Sequence, residues 1–187
     1  MIEVIQTEYK GYLFRSRLEA RWAVFFDALE LKWEYETEGY VLSNGRRYLP
    51  DFCLPGIGYI EVKGRAPSLD ELMVCSSLAE DSGARVYVFW GQPIDACFPA
   101  AGGLTWNGDA FNLMPGDGPG IVFYGDGSYD YPHLFCECKK CGKIGIQYVA
   151  DSSRNCDCKI GRNRYSERLA NAATKARQAR FEHGEAP

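Results

Sequence analysis

The 187-residue sequence predicts an α/β protein whose core runs helix–strand–strand–strand–helix–strand around a mixed sheet. A zinc-binding cysteine-rich subdomain and a basic terminal helix should follow it. Three observations predict this class: helical spacing of apolar residues over 16–30, β-rich runs separated by turn residues over 31–64, and an apolar run at 84–91 after a second helical segment. A hydrophobic fraction of 46% is ordinary for a globular protein.

The first helix is predicted over residues 16–30 because its large apolar side chains fall on one stripe. The stripe consists of Leu18, Trp22, Phe25, Phe26 and Leu29. Residues 31–42 predict a strand, and the Asn44-Gly45 pair predicts a hairpin turn that brings 47–54 back beside it. Pro50 has no N–H donor, so its strand should lie at an edge, or begin or bulge there.

The second helix is predicted at residues 69–83, with Ser68 as N-cap and Gly83 as C-cap. It separates the strand at 59–64 from the apolar run at 84–91, which has the length of a strand buried on both faces. A strand–helix–strand connection of this kind joins parallel neighbours, so these two strands should pair in parallel.

The chain divides into four predicted segments. Residues 1–100 form the core and 101–135 a glycine-rich region, in which short strands joined by turns and a loop both fit the pattern. Residues 136–160 form a cysteine-rich module. Residues 161–187 hold a terminal helix, predicted over 164–181, and the tail.

Three charged residues stand in the apolar strand pair around residues 50–64: Asp51, Glu61 and Lys63. Glu61 and Lys63 share a face because successive strand residues point to opposite sides, and Asp51 can lie beside Glu61 in a paired ladder. Two converging carboxylates suit Mg²⁺, and a nearby lysine can hold and polarise a water. Together they are the equipment for hydrolysis of a phosphodiester bond.

Pro50-Asp51 followed by Glu61-Val62-Lys63 resembles the bipartite motif of the PD-(D/E)XK nuclease superfamily. The segment 14–29 also resembles the first helix of its junction-resolving and transposon-end endonuclease branches. The resemblance implies a restriction-endonuclease-like core and catalysis with Mg²⁺ or Mn²⁺. Asp51, Glu61 and the Val62 carbonyl would bind the metal, Lys63 would position the nucleophile, and Glu19 would complete the acidic cluster.

Simpler explanations exist for the same residues. The three strand charges could be a solvated face with a cross-strand ion pair, although their apolar neighbours and the second carboxylate argue against it. Ser16 and Glu19 have capping-box spacing, so Glu19 could serve the helix N-terminus, and both roles are compatible.

Five cysteines lie within residues 136–158. Cys138 and Cys141 have zinc-knuckle spacing, and Cys156 and Cys158 form a second pair, so four thiolates are available for tetrahedral structural Zn²⁺, as in a zinc ribbon. Because the second pair departs from the usual CxxC spacing, Cys136 or His133 could replace one ligand. Inert thiols or a disulfide are the alternative. The isolated cysteines are predicted to be core residues. They are Cys53, Cys75 and Cys97.

Charge is unevenly distributed: residues 1–135 carry a net charge of −9 and residues 136–180 one of +7. A basic C-terminal part predicts contact with a polyanion, for which DNA is the expected partner. The predicted nucleic-acid contacts are Arg15, Arg17, Arg164, Arg168 and Lys175. The terminal helix also has an apolar stripe, so packing against the core explains it equally well.

The sequence therefore predicts a metal-dependent DNA endonuclease. A structure-selective Holliday-junction resolvase and a non-catalytic zinc-dependent nucleic-acid-binding module remain alternatives. Because no membrane span or signal peptide is visible, no membrane partner is expected. The small phage and prophage nucleases that the chain resembles suggest the cytoplasm of a bacterium or phage-infected host. The resemblance also leaves a homodimer open.

Overall fold

The computed structural model describes residues 5–97, 120–130, 132–148, 156, 158, 162–163 and 166–181, with the backbone alone at 162–163. The elements up to residue 97 are β1 (Thr7–Tyr9), β2 (Tyr12–Phe14), α1 (Arg17–Ala28), β3 (Glu34–Tyr35), β4 (Tyr40–Val41), β5 (Arg47–Tyr48), β6 (Phe52–Leu54), β7 (Gly58–Lys63), α2 (Leu69–Ser82) and β8 (Val86–Trp90). Those from residue 120 onward are β9 (Ile121–Phe123), β10 (Tyr129–Asp130), β11 (His133–Cys138), β12 (Ile144–Tyr148), β13 (Arg162–Asn163) and α3 (Glu167–Gln178).

A six-stranded mixed sheet with the order β10-β9-β8-β7-β6-β3 forms the centre of the molecule. Strands β7 and β8 pair in parallel around α2, as the sequence predicts, and the other neighbours are antiparallel. The mixed α/β class is therefore confirmed. Strand β7 lies between β6 and β8, so the charged residues of 50–64 lie well inside the sheet.

Both predicted helices of the core form where their caps place them. The Ser16 hydroxyl accepts the Glu19 N–H at the start of α1. Ser68 and Glu71 form a reciprocal capping box at the start of α2, which ends at Gly83 in the left-handed conformation that glycine adopts without strain. Helix α1 buries Trp22, Phe25 and Phe26 against one face of the sheet, whereas α2 covers the other face.

The strands predicted at 31–42 and 47–54 are each split in two. The Asn44-Gly45 hairpin is present, but it joins the short strands β4 and β5, which form a separate pair outside the main sheet. Glu36 has a left-handed backbone, with φ of 46°, and its N–H donates to the carbonyl of Asp51. This turn ends β3, and β6 begins after Pro50, consistent with the missing proline donor.

The C-terminal elements complete the core on the α1 side instead of standing apart. Phe135 of β11 contacts the rings of Trp22, Phe25 and Phe89. Helix α3 buries a stripe of small residues against α1, so the packing explanation of its sequence is confirmed. In the part of the chain that the structure describes, no helix has the length and apolar character needed to cross a membrane.

Candidate active site and cysteine cluster

Asp51 and Glu61 lie side by side in the sheet. Phe52 pairs with Ile60, which places Asp51 at the start of β6 next to Glu61 of β7. Asp51 Oδ2 accepts the Val62 N–H at 2.8 Å, and the Asp51 N–H donates to Glu61 Oε2 at 3.4 Å. Each residue is only 3% exposed. Two carboxylates buried on neighbouring strands would both be ionised only at a high energetic cost unless positive charge compensates them.

Lys63 provides part of that charge. Its Nζ donates to Glu61 Oε1 at 2.6 Å and lies 3.8 Å from Glu71 of α2. Burial lowers the pKa of Lys63, but Glu61 and Asp51 outweigh it, and the net pKa is raised. The side chain is therefore an ammonium at neutral pH, able to donate hydrogen bonds but not to accept a proton.

Arg15 provides the rest, immediately before α1. Its Nη2 lies 2.6 Å from Asp51 Oδ1, and its Nε lies 2.5 Å from Glu36 Oε1. The turn at Glu36 is what brings this second carboxylate to the guanidinium. Arg15 is one of the predicted nucleic-acid contacts, and that role stays a prediction. In the structure its guanidinium contacts the acidic residues of the site.

Glu19 has the helix-capping role that its sequence position suggested, and its role in a catalytic acidic cluster stays a prediction. Its Oε1 accepts the Ser16 hydroxyl at 2.6 Å, and its Oε2 accepts the Arg15 N–H at 3.2 Å and the Tyr35 hydroxyl at 2.6 Å. The carboxylate thus caps the N-terminus of α1. It is 8% exposed and close enough to Asp51 to raise the pKa of that residue.

Burial and neighbouring negative charge both disfavour ionisation of Asp51. Burial raises the pKa of Asp51 well above its ordinary value, and Glu61 and Glu19 add to the effect, whereas the Val62 N–H and Arg15 oppose it. A divalent cation would relieve this, because it favours the ionised form of every carboxylate near it.

The donor set fits Mg²⁺ or Mn²⁺ with two protein carboxylates. In the described residues no three carboxylate oxygens from different residues lie within 4.8 Å of one another, so Glu19 does not join Asp51 and Glu61 as a third close donor. Mg²⁺ commonly binds one or two carboxylates and completes its shell with water and substrate phosphate. Asp51 and Glu61 could supply that number of carboxylates, and their binding of Mg²⁺ or Mn²⁺, like the Val62 carbonyl as a ligand, stays a prediction.

Tyr48 and Cys75 are neighbours of the site that the sequence did not reveal. The Tyr48 hydroxyl lies 3.5 Å from Cys75 Sγ, and both residues lie near Glu61. Burial, with a contribution from Glu61, raises the pKa of Cys75 to about 12, so this thiol stays protonated. Cys75 is a buried core residue on α2, as predicted. Spacing alone offered no signal for either contact.

The four predicted zinc ligands gather at one point. The sulfur atoms of Cys138, Cys141, Cys156 and Cys158 lie within 4.8 Å of one another. Cys141 and Cys156 are 3.5 Å apart, close to the edge of a tetrahedron with Zn–S bonds of about 2.3 Å. N–H groups of Cys141 and Lys140 lower the pKa of Cys138 to about 6, which favours the thiolate. The cluster can hold a metal such as zinc.

Neither proposed substitute belongs to the cluster. Cys136 is fully buried, and its thiol donates to the Gly145 carbonyl at 3.6 Å. It lies on β11 two residues before Cys138, where the knuckle turn begins, and it is not among the four clustered sulfurs. His133 lies five residues away at the other end of the strand, against Tyr87 and Tyr148.

Arg168 connects three elements through its guanidinium. Nη2 donates to the Leu29 carbonyl at the end of α1 and to Glu30, and Nη1 donates to the Gly142 carbonyl of the knuckle. This cation therefore has a structural function, and its contact with nucleic acid stays a prediction. Lys175 is exposed on α3, Arg17 is half-buried, and Arg164 lies outside the described residues.

The family resemblance rests on the sequence motif and the predicted order of elements alone. Protein-family models, curated proteins and solved structures were compared with the chain, and none of them matches it.

Proposed function

We propose that this protein is a metal-dependent DNA endonuclease with a restriction-endonuclease-like core. One observation carries the proposal: Asp51 and Glu61 are each 3% exposed and are joined by a hydrogen bond from the Asp51 N–H to Glu61 Oε2, with the Lys63 ammonium 2.6 Å from Glu61 Oε1. A sheet rarely buries two neighbouring carboxylates for stability alone, because ionising both is unfavourable. The resemblance to the PD-(D/E)XK motif gives this arrangement a chemistry.

Asp51 and Glu61 would hold Mg²⁺ or Mn²⁺ through one or more oxygens each. The bound cation would supply Lewis-acid stabilisation of phosphate charge and acidify a water. The Lys63 ammonium donates hydrogen bonds, so its role is to orient the attacking water or the scissile phosphate. Glu19 fixes the start of α1 and Arg15 beside the carboxylates, and adds to the local negative charge that favours a cation.

DNA is the expected substrate because exposed lysines and arginines lie on the C-terminal elements. They are Lys139, Lys140, Lys143, Lys175, Arg177 and Arg180. Phosphate contacts from such residues supply most sequence-independent affinity for DNA. The cysteine cluster supports this role indirectly, since it fixes the turn that carries the first three of them.

One observation favours a second candidate, the non-catalytic nucleic-acid-binding module. Arg15 and Lys63 are each ion-paired to a site carboxylate at 2.6 Å, so the site is partly neutralised by the protein itself. A site that had lost its metal would have this property. Metal binding separates the two candidates, because only the endonuclease requires Asp51 and Glu61 to bind Mg²⁺ or Mn²⁺.

The test is cleavage of supercoiled plasmid, linear duplex, single strands and a four-way junction, with and without added Mg²⁺ or Mn²⁺. Asp51→Asn, Glu61→Gln and Lys63→Met should each lower the cleavage rate by about 10³-fold or more, since each removes several kcal/mol of transition-state stabilisation. Asp70→Asn is the matched control, because Asp70 is an exposed aspartate paired with Arg46 away from the site.

Wild-type cleavage by all three site variants, with unfolding transitions intact, would eliminate the proposal. A rate on the four-way junction that exceeds the linear-duplex rate by less than about threefold would argue against the resolvase alternative. DNA binding without cleavage under every metal would favour the non-catalytic module.

A further inference from the structure

A polar cleft lies between the main sheet and the strand pair β11–β12, away from the carboxylate site. Its volume is about 450 Å³, in the range of sites that hold small molecules. Strand β8 and the β9–β10 hairpin form one wall, and Lys143 and β12 form another. The lining residues that matter here are Arg85, Tyr87, Tyr124, His133, Lys143 and Tyr148.

Two cations lie at this cleft, Arg85 and Lys143, and both residues are exposed. The Arg85 guanidinium lies 5.7 Å from the ring centre of Tyr124, and it is close enough to Tyr87 to oppose the rise in the pKa of that hydroxyl that burial causes. Lys143 directly follows the knuckle turn, where its carbonyl accepts the Cys138 N–H at 2.9 Å. A preorganised guanidinium and an ammonium on facing walls suit a phosphate group.

Aromatic rings line the same space. The imidazole of His133 lies 6.1 Å from the Tyr87 ring and 5.9 Å from the Tyr148 ring, between centroids. Tyr87 and His133 are buried and form the base of the cleft wall, whereas Tyr124 and Tyr148 are half-buried and leave ring surface that can stack on a nucleobase regardless of sequence. Asp130 and Gln147 also line the cleft, and their oxygens can accept hydrogen bonds from the edge of a base.

The cleft is distinct from the carboxylate site. Arg85 precedes β8, whereas Trp90 at the other end of β8 pairs with Lys63. Five strand residues span about 17 Å, the length of about five base pairs of duplex. Tyr87 also lies in the core on the α1 face, while Val88, the partner of Glu61, lies in the core on the α2 face. A group bound in the cleft is therefore not the one at the metal site.

We propose that this cleft binds a phosphorylated nucleotide, with Arg85 and Lys143 on the phosphate and the aromatic rings against the base. The nucleotide is either free or the 5′-phosphorylated end of a nucleic-acid strand, since both present the same groups. This goes beyond the proposed endonuclease function and does not depend on it, because binding here needs neither Asp51 nor a divalent cation.

The test is calorimetric titration of the full chain, with its zinc and without added Mg²⁺, using dTMP, a 5′-phosphorylated tetranucleotide, inorganic phosphate and thymidine as probes. Arg85→Gln and Lys143→Gln should each weaken dTMP binding about tenfold or more, as expected for loss of a charge-assisted hydrogen bond. Lys32→Gln is the matched control, an exposed lysine between α1 and β3 that does not line the cleft and should leave binding unchanged. Glu61→Gln should also bind normally, whatever its cleavage rate.

The probes distinguish the sources. Tighter binding of the tetranucleotide than of dTMP assigns the cleft to a strand end, and the reverse assigns it to a free nucleotide. Absence of binding by both, or equal loss in the Lys32→Gln control, would overturn the proposal. Inorganic phosphate that binds as tightly as dTMP would also overturn it, because the rings would then contribute nothing. Circular dichroism of each variant checks that the exposed substitutions leave the fold unchanged.

Discussion

The carboxylate site and the cysteine cluster both concentrate acidic groups, but they balance the charge differently. Asp51 and Glu61 have protein cations 2.6 Å away, Arg15 and Lys63, and accept or donate backbone hydrogen bonds as well. The four cysteine sulfurs lie within 4.8 Å of one another, and the pKa of Cys138 is lowered to about 6. Thiolates packed so closely need a metal ion between them.

This difference predicts different roles for the two expected metals. The carboxylate site is embedded in the six-stranded sheet and keeps its geometry through the ladder and the ion pairs, so a divalent cation there would add chemistry and not structure. The cysteine cluster joins the knuckle turn to Cys156 and Cys158, and zinc would hold them together. Loss of zinc should therefore unfold part of the molecule, and loss of Mg²⁺ should not.

The largest effect is expected from removing a zinc ligand. Cys156→Ser should abolish stoichiometric zinc binding and lower the free energy of unfolding by several kcal/mol, because metal binding and folding of such a module are coupled. Metal content by mass spectrometry and urea unfolding measure the two quantities. Withdrawal of Mg²⁺ from the wild type should change the unfolding free energy far less.

Cys53→Ser is the matched control for that prediction. Cys53 is a half-buried thiol of β6 outside the cluster, so the change should leave zinc content intact and alter stability by about 1 kcal/mol or less. If Cys156→Ser retained zinc, or unfolded at the same urea concentration as Cys53→Ser, the assignment of a structural metal to this cluster would be wrong.

A smaller effect is expected at the carboxylate site, where Arg15 and a divalent cation compete for Asp51. Arg15→Gln removes the guanidinium from Asp51 Oδ1 and should tighten Mn²⁺ binding by roughly three- to tenfold, a modest change because the arginine side chain is 53% exposed and screened by solvent. Calorimetric titration with Mn²⁺ measures this. The same substitution should lower the stability of the metal-free protein.

Arg46→Gln tests whether that effect is local. Arg46 also pairs with an aspartate, Asp70, but at an exposed site away from the carboxylates. Its removal should leave Mn²⁺ affinity unchanged. Unchanged or weaker Mn²⁺ binding by Arg15→Gln would show that the guanidinium does not occupy the position of the cation.

Sequence alone predicts those features that local patterns determine. The caps Ser16, Ser68 and Gly83 set the helix boundaries, and the crossover through α2 sets the parallel pairing of β7 and β8. The four zinc ligands follow from the spacing of the cysteines. Within each cap and each cysteine pair the deciding residues are close in the chain, so the pattern can be recognised without tertiary information.

Long-range partners were not predictable in the same way. Glu36 adopts φ of 46° because its N–H binds the Asp51 carbonyl and its carboxylate meets Arg15, and both partners are at least fifteen residues away. The Tyr35 hydroxyl on Glu19 and the Arg168 guanidinium on Leu29 are of the same kind. The β1–β2 hairpin is different, because it has a local signal: Lys10-Gly11 forms its turn between Tyr9 and Tyr12.

The smallest and most specific prediction concerns pH. Burial, Glu61 and Glu19 raise the pKa of Asp51 above its unfolded value. A carboxyl group with a raised pKa stabilises the fold below its unfolded pKa, and the contribution is lost as pH rises through the folded value. Without divalent cations, the unfolding free energy of the wild type minus that of Asp51→Asn should therefore fall as pH rises above about 4, the unfolded pKa of an aspartate.

Asp70→Asn is the control, because its effect on stability should change with pH in the opposite direction. The hydrogen bond from Arg46 lowers the pKa of Asp70, so its contribution is present above the unfolded pKa and is lost as pH falls. The wild type minus Asp70→Asn difference should thus rise slightly with pH. Urea unfolding at several pH values measures both differences. Saturating Mg²⁺ should abolish the fall for Asp51, because cation binding favours the ionised carboxylate that the metal-free site disfavours. A fall that persists in Mg²⁺ would mean that the cation does not bind Asp51.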